Sequence, residues 1–159
     1  SLSGFEVTLQ SPFHFLPDSL EGFGGLLNLT EIESEVAYIT NPTTGATVLQ
    51  PLIGQSPRSV SATLYYDRGP FEARVSSSFR DQYLTTVPSQ NGNDVEGKAA
   101  TMNIDFSASY EINDNFELTV EGLNLTDVYD ERWVSSQRQN NLNYEHTGRE
   151  FVVGVRYKF

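Results

Sequence analysis

The feature that most constrains this chain is a strict alternation of apolar and polar residues. Within Thr101–Ile112, every second residue from Met102 onward is apolar, and the residues between them are polar or charged. A period of two places the two sets on opposite faces of a β-strand. The same alternation recurs in Ser59–Asp67, in Phe71–Arg80 and near the end of the chain. We therefore predict an all-β, antiparallel fold.

Three weaker segments and the last twelve residues complete the predicted set of strands. Gly4–Gln10 alternates over a short length, and Gly22–Ser34 carries apolar residues diluted by glycines. Phe116–Thr126 begins in phase and slips at Gly122, where we expect a β-bulge or a local change of burial. Gly148–Phe159 supplies the final, closing strand. The sequence thus predicts about seven meandering strands.

The predicted connections alternate between short and long. The short connections are rich in turn-forming residues and fall at Arg68–Pro70, Asn113–Asn115 and Ser11–Ser19. The long ones are Glu35–Ser56, Leu84–Lys98 and Val128–Thr147. Short turns at one end and long loops at the other are typical of outer-membrane barrels. We therefore predict that residues 1–159 form the C-terminal portion of an antiparallel transmembrane β-barrel.

Orientation follows from the loop lengths. If the short turns are periplasmic, the C-terminus lies at the periplasmic face of a Gram-negative outer membrane. Aromatic residues then fall into two rings, as expected at the two membrane interfaces. The periplasmic set is Phe13, Phe15, Tyr65, Tyr66, Phe71, Tyr110, Phe116, Tyr157 and Phe159, and the outer set is Tyr38, Tyr83, Tyr129 and Trp133. An odd strand number predicts a fragment that lacks neighbouring strands; the alternative is a miscounted, complete eight-stranded barrel.

Composition excludes several classes of function. The net charge is −11 with only ten Lys and Arg, so nucleic-acid binding is not expected. The chain has no cysteine, which excludes disulfides and thiolate metal sites. Aromatic residues make up 12% of the chain, too many for a disordered acidic tail. No apolar run approaches the roughly 18 residues of a helical membrane span.

Two motifs near the C-terminus resemble TonB-dependent outer-membrane receptors. Glu121-Gly122-Leu123-Asn124-Leu125-Thr126-Asp127, followed by Tyr129, resembles the Asn-Leu-x-Asp-x-x-Tyr stretch of their penultimate strand, with one residue fewer before the tyrosine. Gly148-Arg149-Glu150-Phe151 resembles the Gly-Arg-x-aromatic start of their last strand. Gly154, Tyr157 and the terminal Phe159 resemble the signal that the barrel-assembly machinery recognises. The opening Gly4-Phe5-Glu6, with Phe15-Leu16-Pro17, is similar to a late barrel hairpin of the same family.

The resemblance implies a function in transport. Receptors of this family are barrels of about 22 strands with a plugged lumen. They import a scarce nutrient (an iron chelate, cobalamin or an oligosaccharide) with energy delivered by the TonB system. The implied partners are outer-membrane lipid, the missing barrel strands, the plug domain, TonB through an N-terminal part, and the barrel-assembly machinery. Lumen-facing polar rows would contact the plug.

The last long loop holds the candidate ligand-binding residues. Trp133, Tyr129 and Tyr144 could form a surface on which a sugar stacks, and His146 lies beside Tyr144 in sequence. Arg138, with Arg132 and Arg149, could instead receive an anionic chelate. The sequence leaves these two ligand classes open, and aromatic residues that anchor a loop are a third interpretation.

No catalytic pattern accompanies these residues. The two histidines, His14 and His146, belong to no Ser-His or metal-ligand spacing. We expect no enzymatic activity, no metal site and no cofactor. Two functions other than transport remain as alternatives: a small complete outer-membrane barrel with a structural or adhesin role, and a soluble lipocalin-like binding barrel.

Overall fold

The computed structural model describes residues 1–90 and 92–159; Asn91, within the predicted loop Leu84–Lys98, lies outside the described residues. The strands are β1 (Leu2–Pro12), β2 (Phe23–Ser34), β3 (Val36–Asn41), β4 (Ala46–Gln50), β5 (Arg58–Arg68), β6 (Phe71–Arg80), β7 (Tyr83–Thr86), β8 (Glu96–Lys98), β9 (Thr101–Asn113), β10 (Phe116–Leu123), β11 (Asp130–Val134), β12 (Asn140–Glu145) and β13 (Glu150–Tyr157). One 3-10 turn, Asp18–Leu20, precedes β2. None of the described residues belongs to a helix with the length and hydrophobicity needed to cross a bilayer. The protein is all-β and antiparallel, as predicted.

Seven strands form one antiparallel sheet in the order β1-β2-β5-β6-β9-β10-β13. These are the seven strands that the alternation predicts, and each pairs with the next member of the set along the chain. The sheet is open, with β1 and β13 as its two edges, so it does not close into a barrel by itself. Its short connections all lie at one end and its long connections at the other.

The register of this sheet separates an apolar face from a polar face. Leu64 pairs with Val75, and Val75 pairs with Phe106, so the apolar residues of neighbouring strands stand side by side. Farther along the sheet, Leu118 pairs with Val155. A one-residue slip in any pair would exchange the two faces, which is why the alternation specifies this register. Nothing among the described residues covers the apolar face, and many of its large side chains are exposed.

The long connections contain strands of their own, which the sequence did not predict. The first folds into the β3–β4 hairpin. The second and third together form a four-stranded sheet in the order β12-β11-β8-β7, which we call the loop sheet. Its members are three to six residues long and lack a clear alternation. The pairing of β8 with β11 joins residues far apart in the sequence, so no local pattern could indicate it.

The compact core of the described protein lies in the loop sheet. Its buried apolar side chains are Leu84, Val95 and Trp133, and Val87 and Ala99 pack against them. The indole of Trp133 lies over Gly97 on the paired strand, so closely that a Cβ there would come within 2.2 Å of the ring. Glycine is therefore required at that position, and the tryptophan fixes the spacing between β8 and β11.

Of the two alternatives predicted at Gly122, the bulge is wrong and the local change of burial is confirmed. Gly122 is buried between the exposed Glu121 and Leu123, and it pairs regularly with Phe106 on one side and Phe151 on the other. The irregular pairing lies at the opposite end of β10, between Phe116 and Glu117. The phase slip in the sequence instead marks the end of the strand at Leu123, three residues before the predicted end.

Candidate functional site

The two sequence motifs that carry the family resemblance contact each other in the structure. Asn124 follows β10 and adopts a positive φ of 52°, a left-handed conformation that asparagine tolerates better than most residues. Its side-chain Nδ2 donates a hydrogen bond to the carbonyl oxygen of Gly148 at 3.0 Å. Its Oδ1 accepts a hydrogen bond from the backbone N–H of Val128 at 2.9 Å. One side chain therefore closes the turn after β10 and joins it to the start of β13.

Further hydrogen bonds attach this turn to the neighbouring strands. The backbone N–H of Asn124 donates to the Asp105 carboxylate at 2.8 Å, and the N–H of Leu125 donates to the carbonyl of Ile104 at 2.8 Å. On the other side, Arg149 Nε donates to the carbonyl of Leu125 at 3.0 Å. The turn is thus fixed to both β9 and the entry of β13. We refer to Asn124–Asp127 with these partners as the Asn124 turn.

An aromatic cluster stands next to the Asn124 turn. The imidazole of His146 stacks on the ring of Tyr129, with centroids 4.1 Å apart and planes inclined by 11°. Its Nε2 lies 2.9 Å from the Asp127 carboxylate, which holds the ring in place. Tyr144 meets Tyr129 edge to face at a centroid distance of 6.1 Å. Tyr129 and Tyr144 remain 44% and 61% exposed, so the cluster offers aromatic surface to a ligand.

The structure separates the other two predicted ligand-binding residues from this cluster. Trp133 is only 8% exposed and belongs to the core of the loop sheet, where it cannot stack on a sugar. Arg138 lies in the turn between β11 and β12, at the far end of that hairpin from Tyr144. Of the five predicted residues, the structure brings together Tyr129, Tyr144 and His146. Asp127, which the sequence analysis names only as part of a motif and not as a ligand-binding residue, joins them.

Strand β12 adds an exposed edge to this cluster. It is the outer strand of the loop sheet, and all of its residues are exposed. Asn140, Asn141 and Asn143 lie along it, and Tyr144 follows them directly. Within residues 1–90 and 92–159, none of these three amide side chains makes a hydrogen bond. Sequence reasoning missed this edge because the run of amides resembles an ordinary polar loop.

Polar contacts join the two long loops that form the loop sheet. Asp94, just before β8, accepts hydrogen bonds from the hydroxyl and the backbone N–H of Ser136, the second at 3.0 Å. These two bonds hold the pKa of the Asp94 carboxyl below its ordinary value of 3.8. Lys98 pairs with Asp130 at 2.6 Å on the same sheet.

Two residues of the predicted assembly signal, Tyr157 and Phe159, lie at the end of the large sheet where the short connections are, and Gly154 lies within β13. The ring of Tyr157 contacts Phe116 at 4.9 Å and the terminal Phe159 at 5.0 Å. Phe23, Tyr66 and Phe71 form a second chain of ring contacts at this end. Gly154 faces Thr119, and a Cβ on the glycine would come within 2.7 Å of the Thr119 hydroxyl. Tyr65 lies at this end as well, but it packs over Gly24 on the polar face.

No group of three or more acidic, histidine or cysteine side chains in the described part of the chain is placed to hold a metal ion. The candidate site presents aromatic faces, amides and carboxylates. No family model matches the sequence, and neither a curated protein nor a solved structure matches it.

Proposed function

We propose that this chain forms the last strands of a TonB-dependent transporter that takes up a scarce nutrient across the outer membrane of a Gram-negative bacterium. The observation that carries the proposal is the uncovered apolar face of the seven-stranded sheet. Phe151, Val153 and Val155 on β13 are each about two-thirds exposed or more, at 69%, 71% and 67%. A soluble protein would have to bury such a face.

The size of this face favours lipid as its partner. Seven strands spaced at about 4.8 Å and about ten residues long at 3.3 Å per residue present roughly 1,000 Å². The largest apolar patch on a typical soluble monomer is about 300–600 Å². Contact with bilayer hydrocarbon removes this apolar surface from water, so its exposure carries no hydrophobic penalty there.

The dimensions of the strands are consistent with the same proposal. A transmembrane β-strand needs about 9–11 residues. Strands of the large sheet have 8 to 13 residues. Rings gather at the end with short connections, as in the aromatic girdle of an outer-membrane barrel. By this orientation the short connections and Phe159 are periplasmic, and the loop sheet is extracellular.

The receptor class rests on the motif resemblance, and the geometry of the sheet is compatible with it. The edges β1 and β13 leave backbone hydrogen-bonding groups unpaired, and such groups must be satisfied within a bilayer. Further barrel strands of the same protein would pair with them. The polar face carries a depression of about 480 Å³ lined in part by Glu72, Arg74 and Glu121, which suits contact with a plug domain. Two further partners are proposed. TonB would act through the N-terminal part of the protein, which carries the plug domain, and the barrel-assembly machinery would recognise the last strand.

A matched pair of tryptophan substitutions tests the membrane assignment. Val152 and Val153 are neighbours on β13 that face opposite sides of the sheet. In the intact protein reconstituted into vesicles with brominated acyl chains, we expect quenching of the added tryptophan in Val153→Trp and not in Val152→Trp. Trp133 is the only tryptophan of these 159 residues and lies in the loop sheet, and the intact protein without either substitution supplies the baseline quenching.

The outcomes of this experiment separate the alternatives. Equal quenching at both positions, or none at Val153→Trp, would refute the placement of the apolar face against lipid. A protein that stays folded without detergent or lipid would favour a soluble barrel instead.

Uptake measurements test the receptor class. We expect deletion of the gene to abolish growth on one limiting nutrient, and deletion of TonB to reproduce that defect. A gene whose loss leaves all uptake intact but changes adhesion or envelope integrity would favour the small structural barrel.

A further inference from the structure

From the β12 edge and the adjoining aromatic cluster, we infer a binding site for a neutral oligosaccharide. This inference rests on the proposed function for its role in uptake, where it names the class of substrate. It chooses between the two ligand classes that the sequence leaves open. Three features carry it: an exposed tyrosine face, a row of unengaged amides and the carboxylates next to Tyr144.

The aromatic surface suits the apolar side of a sugar ring. His146 covers one face of Tyr129, whereas Tyr144 only meets Tyr129 edge to face. Tyr144 is 61% exposed against 44% for Tyr129, so its ring offers the larger free surface. The face of an aromatic ring carries partial negative charge and attracts positively polarised hydrogens. The C–H groups on one side of a pyranose present such hydrogens across a flat surface.

The amides suit the hydroxyl groups of the same ligand. A carboxamide offers both donors and acceptors, and a sugar hydroxyl needs both. Asn141 pairs with Trp133, and Tyr144 pairs with Glu131. Because Glu131 and Trp133 are two residues apart on β11, Asn141 and Tyr144 project from the same face of the sheet. Asn140 and Asn143 project on the other side of the same edge. A chain of sugars lying along β12 would reach amides on both sides.

Charge argues against an anionic ligand at this place. Asp127 is part of the cluster, Glu131 pairs directly with Tyr144, and Glu145 follows it in the chain. Arg149 already donates its Nε to the Leu125 carbonyl, and Arg138 lies at the other end of the hairpin. Arg132 pairs with Asn143, so it projects from the face of the sheet opposite Tyr144. An anion stacked on Tyr144 would thus meet the Glu131 carboxylate on the same face before it met a guanidinium. A neutral polyhydroxylated ligand pays no such penalty.

The unpaired backbone of an edge strand can also accept a peptide strand, which is the main competing occupant. Strand β12 is a poor template for one. It has only six residues, half of them asparagine, which is depleted in strands, and its pairing with β11 is interrupted by a bulge. These properties favour recognition through side chains.

Calorimetric titration of the intact, detergent-solubilised protein tests the inference. The probes are the hexasaccharides of α-1,4-glucose, β-1,4-glucose, β-1,4-xylose and β-1,4-N-acetylglucosamine, with ferric citrate as the anionic probe. We expect one hexasaccharide to bind, with an affinity that does not change with salt. Tyr144→Ala should weaken binding about tenfold, within the range measured for a lost aromatic contact. Tyr144→Phe keeps the ring and should retain most of the affinity.

Asn141→Ala should weaken binding about three- to tenfold, the effect of one lost hydrogen bond. Arg138→Ala is the matched control on the same hairpin and should leave saccharide binding unchanged. The inference is overturned if none of the four hexasaccharides binds, if Tyr144→Ala binds as well as the native protein, or if only ferric citrate binds and Arg138→Ala abolishes it. TonB-dependent uptake of some other nutrient would survive all of these results, so failure here is distinct from failure of the proposed function.

Discussion

Substitutions of Asn124 should destabilise the protein, and the order of their effects should be unusual. Asn124→Ala removes two side-chain hydrogen bonds, to Gly148 and from Val128, each worth about 0.5–1.5 kcal/mol. It also forces alanine into the left-handed conformation, at a cost of about 1–2 kcal/mol. The expected loss is about 2–5 kcal/mol. Asn124→Gly loses the same bonds but tolerates the positive φ, so its loss should be about 1–3 kcal/mol.

The test depends on the difference in stability between the alanine and glycine variants. In ordinary strand or helix positions glycine is less stable than alanine by about 0.5–1 kcal/mol. At Asn124 we expect the opposite order, measured by hydrogen exchange of segments 124–129 and 146–149 and by the midpoint of urea unfolding. Asn124→Asp keeps the acceptor for Val128 but not the donor to Gly148, and it should fall between the native protein and Asn124→Gly. If the alanine variant is as well protected against hydrogen exchange as the glycine variant, the positive φ at position 124 does not have the role assigned to it.

Three further predictions concern the loop sheet. Trp133→Ala should cost about 3–5 kcal/mol, the range for a large buried aromatic residue, and hydrogen exchange should speed up in β7, β8 and β11 while the seven-stranded sheet stays protected. Gly97→Val should produce the same pattern, because its Cβ would collide with the Trp133 ring; normal protection of β8 in this variant would contradict the packing. Acid should loosen the contact between Asp94 and Ser136, which joins the two long loops. The pKa of Asp94 is lowered in the folded protein, so its carboxylate stabilises the fold fully above pH 3.8, and this stabilisation is lost as the pH falls below that value. Protection of residues 94–97 against exchange, followed from pH 5 to pH 2.5, checks this. Ser136→Ala removes the hydroxyl bond but keeps the backbone N–H, so it should reduce the pH dependence without abolishing it.

The seven strands of the large sheet could be predicted because each is specified locally. Where one face of a strand is apolar over its whole length, as from Met102 to Ile112, the alternation alone fixes which residues share a face. The order of the strands then follows from short connections such as Gly69-Pro70, which leave the chain no choice but to return alongside itself. The loop sheet has neither property. Its strands pair across two separate loops, and their contribution to stability comes from three buried side chains that only the tertiary fold brings together.

The sequence predicted which types of residue form the candidate site, but it could not predict which of them lie together. Trp133 and Tyr144 look equivalent in the sequence, as aromatic residues of one long loop. The pairing of β11 with β8 turns Trp133 toward Gly97, while Tyr144 remains on the outer strand. That division depends on a partner strand more than thirty residues earlier in the chain. No pattern within the loop itself contains it.

The Asn124 turn explains why the aromatic cluster lies beside the residues of the Asn-Leu-Thr-Asp motif. Asn124 binds the N–H of Val128, directly before Tyr129, and the carbonyl of Gly148, two residues after His146. Both segments that carry the stacked pair are therefore held by one side chain. The stack of Tyr129 on His146 requires these segments to lie at a fixed separation, and Asp127, within the same turn, holds the imidazole. Substitution of Asn124 should thus weaken ligand binding at Tyr144 although Asn124 touches no ligand, and Asn124→Gly should impair it less than Asn124→Ala does.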